Sequence, residues 1–190
     1  MYQVSKDDGV FRILKDGMPV FTPAGNPLIA KSEALAHKLA EHCERFGVKS
    51  DNWQSIVQFH FPMLDFFRHY PRRSIEQQLI LNFDPFNDWT LRTPDPKGEN
   101  LQQWQALFGQ SKERAKEGRM WIATLNLNQL CAAMVLGKIM ESMNIAYLVS
   151  RAKDKDEVDS LINQLILFHP ELGKYPLEAL FGNFLFYWEL

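Results

Sequence analysis

The sequence predicts an α+β fold dominated by helices, in which a small N-terminal antiparallel β element leads into a helical body. Asp16-Gly17 between two apolar runs predicts a β-hairpin, because both central positions of such a tight turn need a positive φ. From Asn100 almost to the last residue, apolar side chains recur with the period of an α-helix. We therefore divide the chain into a hairpin-plus-helix module, residues 1–48, and a mostly helical domain, residues 49–190.

The first module is defined by turn and capping residues. The hairpin strands are predicted at residues 11–15 and 18–22, and Pro19 places the second strand at an edge or pairs it through its other side, because proline donates no ladder hydrogen bond. A helix follows, which Ser32 caps and Gly47 ends. Its apolar residues, spaced four, four and three apart, are Leu35, Leu39, Cys43 and Phe46.

Two further helices are predicted in the middle of the chain. Asp51 opens the first, and Pro62 kinks or splits it, because a proline inside a helix removes one backbone hydrogen bond. Ser74 and Gln77 form a capping box at the start of the second. The proline-rich residues 93–98 are the best candidate for a loop or linker.

The second half is predicted as four helical pieces. The breaks between them are expected at Gly118, at the charged residues 153–155 and at residues 170–176, a segment that begins and ends with a proline. The predicted pieces cover residues 101–117, 120–151, 156–168 and 176–190.

Composition and charge exclude several classes of protein. The 190 residues are 46% hydrophobic and 23% charged, which is typical of a globular chain with a well-filled core. The formal net charge of -2 leaves no basic excess for a phosphate backbone, so we expect no nucleic-acid partner. The most apolar stretch, residues 120–149, contains too many polar side chains to insert into a membrane.

The cysteines and the first residues indicate a cytoplasmic protein. Cys43 and Cys131 are far apart within apolar segments, and neither has a second cysteine at the spacing of a metal site, so they are interpreted as reduced core thiols. Residues 1–20 lack the basic and then apolar pattern of a secretory signal.

The sequence contains no recognisable cofactor or metal motif. Neither a Walker loop nor a dinucleotide-binding glycine motif follows a predicted strand. His37 and His42 are five residues apart, about 140° around a helix, so they do not form a metal-ligand pair. Asp84 and Asp88 carry oxygen ligands for a hard cation, although the capping of turns explains them more simply.

One hypothesis for the function is an enzyme or small-ligand binder, with a pocket between the β element and the helices. Asp65 and His69 are four apart, the arrangement that orients a catalytic imidazole, but no partnered nucleophile is recognisable. The residues expected to line such a pocket are His60, Asp65, His69 and Arg72.

One segment resembles a known family. The run Asp16-Gly17-Met18-Pro19-Val20-Phe21-Thr22-Pro23-Ala24-Gly25-Asn26-Pro27-Leu28, followed by the alanine-rich helix at residues 32–41, is similar to the N-terminal signature of the ATP synthase assembly chaperones. The turn at residues 83–89 is similar to the family's Asp-Pro turn, and this chain would be a divergent member. The resemblance implies a non-enzymatic chaperone without cofactor, which binds the unassembled alpha subunit of ATP synthase or a related protein.

A chaperone of this kind needs an apolar surface with a charged rim. The resemblance points to an acidic pair, Asp156 and Glu157, and Asp159 lies beside it. The last ten residues are rich in aromatic side chains, including Phe184 and Trp188, which dock on their own core, on a partner or on a second copy in a homodimer. The expected partner-binding residues are therefore Asp156, Glu157, Asp159, Phe184 and Trp188.

Overall fold

A computed structural model describes residues 1–48, 51–92 and 100–190. These residues form two compact units, one made of Met1–His69 with Tyr175–Leu190, and the other of Tyr70–Lys174. The division predicted at residue 48 falls inside the first unit, and the predicted linker at residues 93–98 lies outside the described residues.

The fold is α+β and dominated by helices, as predicted. The strands in the described residues are β1 (Tyr2–Asp7), β2 (Val10–Lys15), β3 (Met18–Pro19) and β4 (Ile29–Ala30). The α-helices there are α1 (Glu33–Phe46), α2 (Val57–Asp65), α3 (Arg72–Asn82), α4 (Leu101–Phe108), α5 (Ser111–Thr124), α6 (Leu127–Ile139), α7 (Met143–Ser150), α8 (Lys155–Phe168) and α9 (Leu177–Trp188). Each of these helices is too short or too polar to cross a membrane.

The sheet of the first unit is built around β2. Strand β1 pairs with it antiparallel along its whole length, whereas the short strands β3 and β4 share its other edge. Asp16 and Gly17 have φ of 51° and 80°, so the predicted hairpin turn is confirmed. Strand β1 was not predicted, although Asp8 and Gly9 form a turn of the same chemistry, with φ of 48° and 76°.

Helix α1 covers this sheet and is also confirmed. The Ser32 side chain accepts a hydrogen bond from the Leu35 N–H at 3.2 Å, and Gly47 ends the helix with a φ of 79°. Leu35, Leu39 and Cys43 are buried.

Two predictions for the middle helices are wrong in detail. Helix α2 begins at Val57 rather than near Asp51, and Pro62 lies inside it without splitting it. Helix α3 begins at Arg72, directly after Pro71, whose fixed φ of -59° suits a helix start. Ser74 is therefore already inside the helix, and the predicted capping box does not form.

The predicted helix at residues 120–151 is also wrong. Asn126 and Gln129 form a capping box that starts α6, and the Ser142 side chain caps α7 by accepting a hydrogen bond from the Ile145 N–H. The stretch is therefore divided among the end of α5, α6 and α7. The break predicted at residues 153–155 is confirmed, since Asp154 caps α8.

Gly118 is not a helix break, since it lies in the middle of α5. A Cβ at this position would be only 2.5 Å from ring atoms of Phe83, a fully buried residue that follows α3. Glycine is needed here because the two elements approach closely.

Gly118→Ala should therefore lower the free energy of unfolding by about 2 kcal/mol, because the Phe83 ring must move, although alanine is the better helix former. The matched substitution is Gly182→Ala in α9, where a new Cβ meets no atom within 4 Å. It should raise the free energy of unfolding by about 0.5–1 kcal/mol through helix propensity. Urea unfolding of both variants measures the two values, and the same sign in both would contradict this account.

Candidate functional site

Helix α8 places two of the predicted acidic residues on one surface of the second unit. The Asp154 carboxylate accepts a hydrogen bond from the Glu157 N–H at 2.9 Å, which fixes the helix start. Val158, Leu161 and Leu165 are buried on its inner face. The inner face therefore determines which residues of α8 point outward.

The outward residues form what we call the α8 stripe. It is an open, nearly flat surface that carries acidic groups at one end and an apolar side chain, 73% exposed, at the other. Its members recur at helical spacing and are Asp156, Asp159, Ser160, Asn163, Gln164 and Leu167. The eleven steps from Asp156 to Leu167, at a rise of about 1.5 Å each, give a length of about 16 Å, enough for a segment of a protein partner.

The charge of the α8 stripe is not neutralised within the described chain. Neither Asp156 nor Asp159 forms an ion pair with a residue in the part that the structure describes. Gln164 donates a hydrogen bond to the Ser160 hydroxyl at 3.2 Å. The stripe thus offers carboxylates, amides and one exposed leucine to a partner.

Glu157 has a different environment from the two aspartates. Its carboxylate accepts a hydrogen bond from the Lys153 N–H at 2.9 Å, and the Lys153 ammonium lies 3.9 Å away. Glu157 therefore stabilises the start of α8 and is not part of the stripe.

The aromatic tail docks on the first unit. Phe184 is fully buried, with its ring centroid 6.4 Å from that of Phe59, so it belongs to the core and not to a surface that a partner could reach. Trp188 is half-buried and packs against Phe184, with 5.2 Å between ring centroids. The acidic and aromatic residues predicted as one site thus lie in different units.

His60 has a structural role in the first unit. Its Nε2 lies 2.6 Å from the Ile29 carbonyl, and its Nδ1 lies 3.0 Å from the Tyr187 hydroxyl. Because a carbonyl can only accept, Nε2 carries the proton and Nδ1 accepts from the tyrosine. Burial lowers the pKa of His60 to about 4, so the ring is neutral near pH 7.

The other residues proposed for an enzyme pocket do not converge. Asp65 accepts hydrogen bonds from the Thr22 hydroxyl and the Asn26 amide, which holds the loop after β3. His69 accepts one from Arg68. Arg72 donates to the Leu125 carbonyl and to Glu76. The predicted contact between Asp65 and His69 is thus replaced by other partners.

The thiols and the carboxylates of the predicted turn are also structural. Cys43 and Cys131 are buried and form no disulfide within the described residues, and burial raises the pKa of Cys43 to about 11. Asp84 accepts a hydrogen bond from the Phe86 N–H and Asp88 from the Thr90 N–H, so both cap turns. Over residues 1–48, 51–92 and 100–190, no three His, Cys, Asp or Glu side chains form a group that could hold a metal ion.

The amides and the leucine of the α8 stripe were not predicted from the sequence. Their signal was the continuation of the helical spacing from Asp156 through Asn163 to Leu167, an apolar residue on an otherwise polar face.

No family model matches the chain, and no curated protein or solved structure is significantly similar to it.

Proposed function

We propose that this protein is a non-enzymatic assembly chaperone, which binds an unassembled subunit of ATP synthase through the α8 stripe. The observation that supports it is the pairing of unneutralised acidic groups with an exposed apolar side chain along one helix. The resemblance of residues 11–41 to the assembly chaperones favours the alpha subunit as the client. The two buried cysteines, which form no disulfide within the described residues, agree with a cytoplasmic location.

The chemistry of the stripe suits reversible binding. Exposed carboxylates increase the rate of encounter with a basic surface but add little affinity, whereas Leu167 supplies apolar area that is removed from water only in the complex. A client surface with basic residues around an apolar depression would match both features. The client's proper neighbour could then displace the chaperone, because neither the carboxylates nor Leu167 alone gives tight binding.

Charge reversal in the stripe tests the proposal. Asp156→Lys combined with Asp159→Lys should weaken binding of the isolated ATP synthase alpha subunit at least tenfold, because like charges would now face each other. Isothermal titration calorimetry with purified proteins measures the dissociation constant. Raising the salt concentration from about 0.05 M to about 0.5 M should weaken binding by the original chain more than binding by the variant.

A matched control separates the stripe from overall charge. Glu33→Lys with Glu113→Lys changes the net charge equally and also replaces acids in the first turn of a helix. This variant should bind as the original chain does. Leu167→Ser should weaken binding without any change in charge. The proposal is wrong if the alpha subunit does not bind the original chain, or if the control weakens binding as much as the stripe variant.

A further inference from the structure

The first unit contains a pocket between α1 and α9 that the proposed function does not use. It has a volume of about 340 Å³, near the lower end of the range for small-molecule sites. Three basic residues of α1 line it at a spacing of four and three. We call it the α1–α9 pocket, and its lining includes Lys38, His42, Arg45, Phe46, Gly182 and Asn183.

The charge in the α1–α9 pocket is unbalanced. Neither Lys38 nor Arg45 forms an ion pair with any described residue; each lies against an aromatic ring, Lys38 at 4.0 Å from the Phe186 centroid and Arg45 at 4.9 Å from that of Phe46. Partial burial lowers the pKa of Lys38, and the exposed Glu41 raises that pKa by a smaller amount. An anion bound near Lys38 and Arg45 would gain favourable electrostatic interactions with both cations.

His42 adds a directed donor. Its Nδ1 accepts a hydrogen bond from the Ile56 N–H at 2.9 Å, which supports the start of α2. The neutral ring must therefore carry its proton on Nε2, where it can donate to a ligand. Burial and the neighbouring Lys38 lower the pKa of His42, while Glu41 raises it and Arg45 lowers it further, so the neutral form is favoured near pH 7.

The remaining walls are less polar. Phe46 presents an aromatic ring, and Gly182 leaves open space, since a Cβ there would meet no atom within 4 Å. The Asn183 Nδ2 already donates to the Gln54 carbonyl at 2.8 Å. An anion with an apolar body matches this lining better than a fully hydrated inorganic ion.

We propose that the α1–α9 pocket binds an organic carboxylate, whose anionic group lies among Lys38, His42 and Arg45 and whose apolar part packs on Phe46. The carboxylate can belong to a free small molecule or to an acidic side chain of a protein. This inference does not depend on the α8 stripe, which lies in the other unit.

The test uses the full chain with ¹³C-labelled histidines. Benzoate, acetyl-glutamate-amide and inorganic phosphate are added separately at about pH 7.5, and ¹H–¹³C spectra report each ring. The His42 signals should shift and saturate at millimolar concentrations of a carboxylate, whereas those of His37, exposed on the same helix and paired with Glu33, should not shift. Tighter binding of benzoate identifies a free molecule as the source, and tighter binding of acetyl-glutamate-amide identifies a protein side chain.

Variants give the specificity of the response. Lys38→Gln with Arg45→Gln should weaken carboxylate binding at least tenfold, while the charge-preserving pair Lys38→Arg with Arg45→Lys should retain most of it. Unchanged His60 signals show that the core is intact. The proposal is overturned if no carboxylate gives a saturable shift of His42, if phosphate binds as tightly as the carboxylates, or if the glutamine variant binds as the original chain does.

Discussion

Asp88→Ala should lower the free energy of unfolding by about 3 kcal/mol, although this residue touches no proposed ligand. Its carboxylate is fully buried and accepts hydrogen bonds from the Thr90 N–H at 3.1 Å, the Thr90 hydroxyl at 2.7 Å and the Asn144 N–H at 2.8 Å. Removal of the carboxylate leaves these three buried donors without that hydrogen-bond acceptor, at a cost of about 1 kcal/mol each. Urea unfolding followed by circular dichroism measures the loss.

Asp84→Ala is the matched control, four residues earlier in the same turn. Its carboxylate accepts a single hydrogen bond, from the Phe86 N–H at 2.9 Å, and it is only half-buried. The expected loss is about 0.5–1 kcal/mol, because water can replace the lost acceptor. Similar losses in the two variants would show that burial of the Asp88 network does not determine its contribution.

The Asp88 network also attaches the turn to three helices of the second unit. Asn144 donates from its amide to the Thr90 hydroxyl at 3.0 Å and to the Phe108 carbonyl at 2.9 Å. Trp89 donates to the Met140 carbonyl at 2.8 Å. The turn is thus attached to the ends of α4 and α6 and to the start of α7. Burial raises the pKa of Asp88, while hydrogen bonds from Ser142, Asn144 and Thr90 oppose that rise.

Local signals predicted the N-terminal module well, because its turns and caps are decided within a few residues. A two-residue hairpin turn needs positive φ at both central positions, which Asp16 and Gly17 tolerate, and Ser32 and Gly47 cap one helix through side chain and backbone respectively. The same rule would have found strand β1 from Asp8-Gly9 and separated α6 and α7 at Asn126 and Ser142. At Asn126 and Ser142 the capping signals were outweighed by the long apolar periodicity of residues 120–151.

Other features depend on residues distant in sequence and were therefore not predictable from local pattern. Gly118 looks like a helix break until Phe83 is seen against it. The sequence indicates no role for His42, because the hydrogen bond that it accepts comes from the Ile56 N–H, 14 residues away. For the candidate site, helical spacing could predict the α8 stripe, but only the fold shows that Phe184 is buried in another unit.

The second large effect is on the pH dependence of stability, and it comes from His60. Its pKa is about 4 in the folded protein, below the ordinary value of 6.5, because burial disfavours the charged ring. Unfolding therefore takes up a proton between these two pH values. Stability from this residue is complete above about pH 6.5 and is lost as the pH falls toward 4, by about 3 kcal/mol in all.

His60→Gln isolates this contribution. Glutamine can donate to the Ile29 carbonyl but makes a weaker contact with Tyr187, so the variant should be less stable near pH 7 by about 1–2 kcal/mol. The variant also lacks the titrating ring. Its stability should then fall less steeply with acid. Urea unfolding at several pH values between about 7 and 4 gives both curves.

The expected crossing of these curves follows from the geometry around the ring. Protonation of His60 would place a second N–H against the Tyr187 hydroxyl, which would then have to turn and accept, while the charge stays in a site without a carboxylate partner among the described residues. The neutral ring thus holds β4, α2 and α9 together only while it keeps one donor and one acceptor. Parallel curves for the original chain and His60→Gln would mean that water reaches the ring in the folded state and that burial does not control its titration.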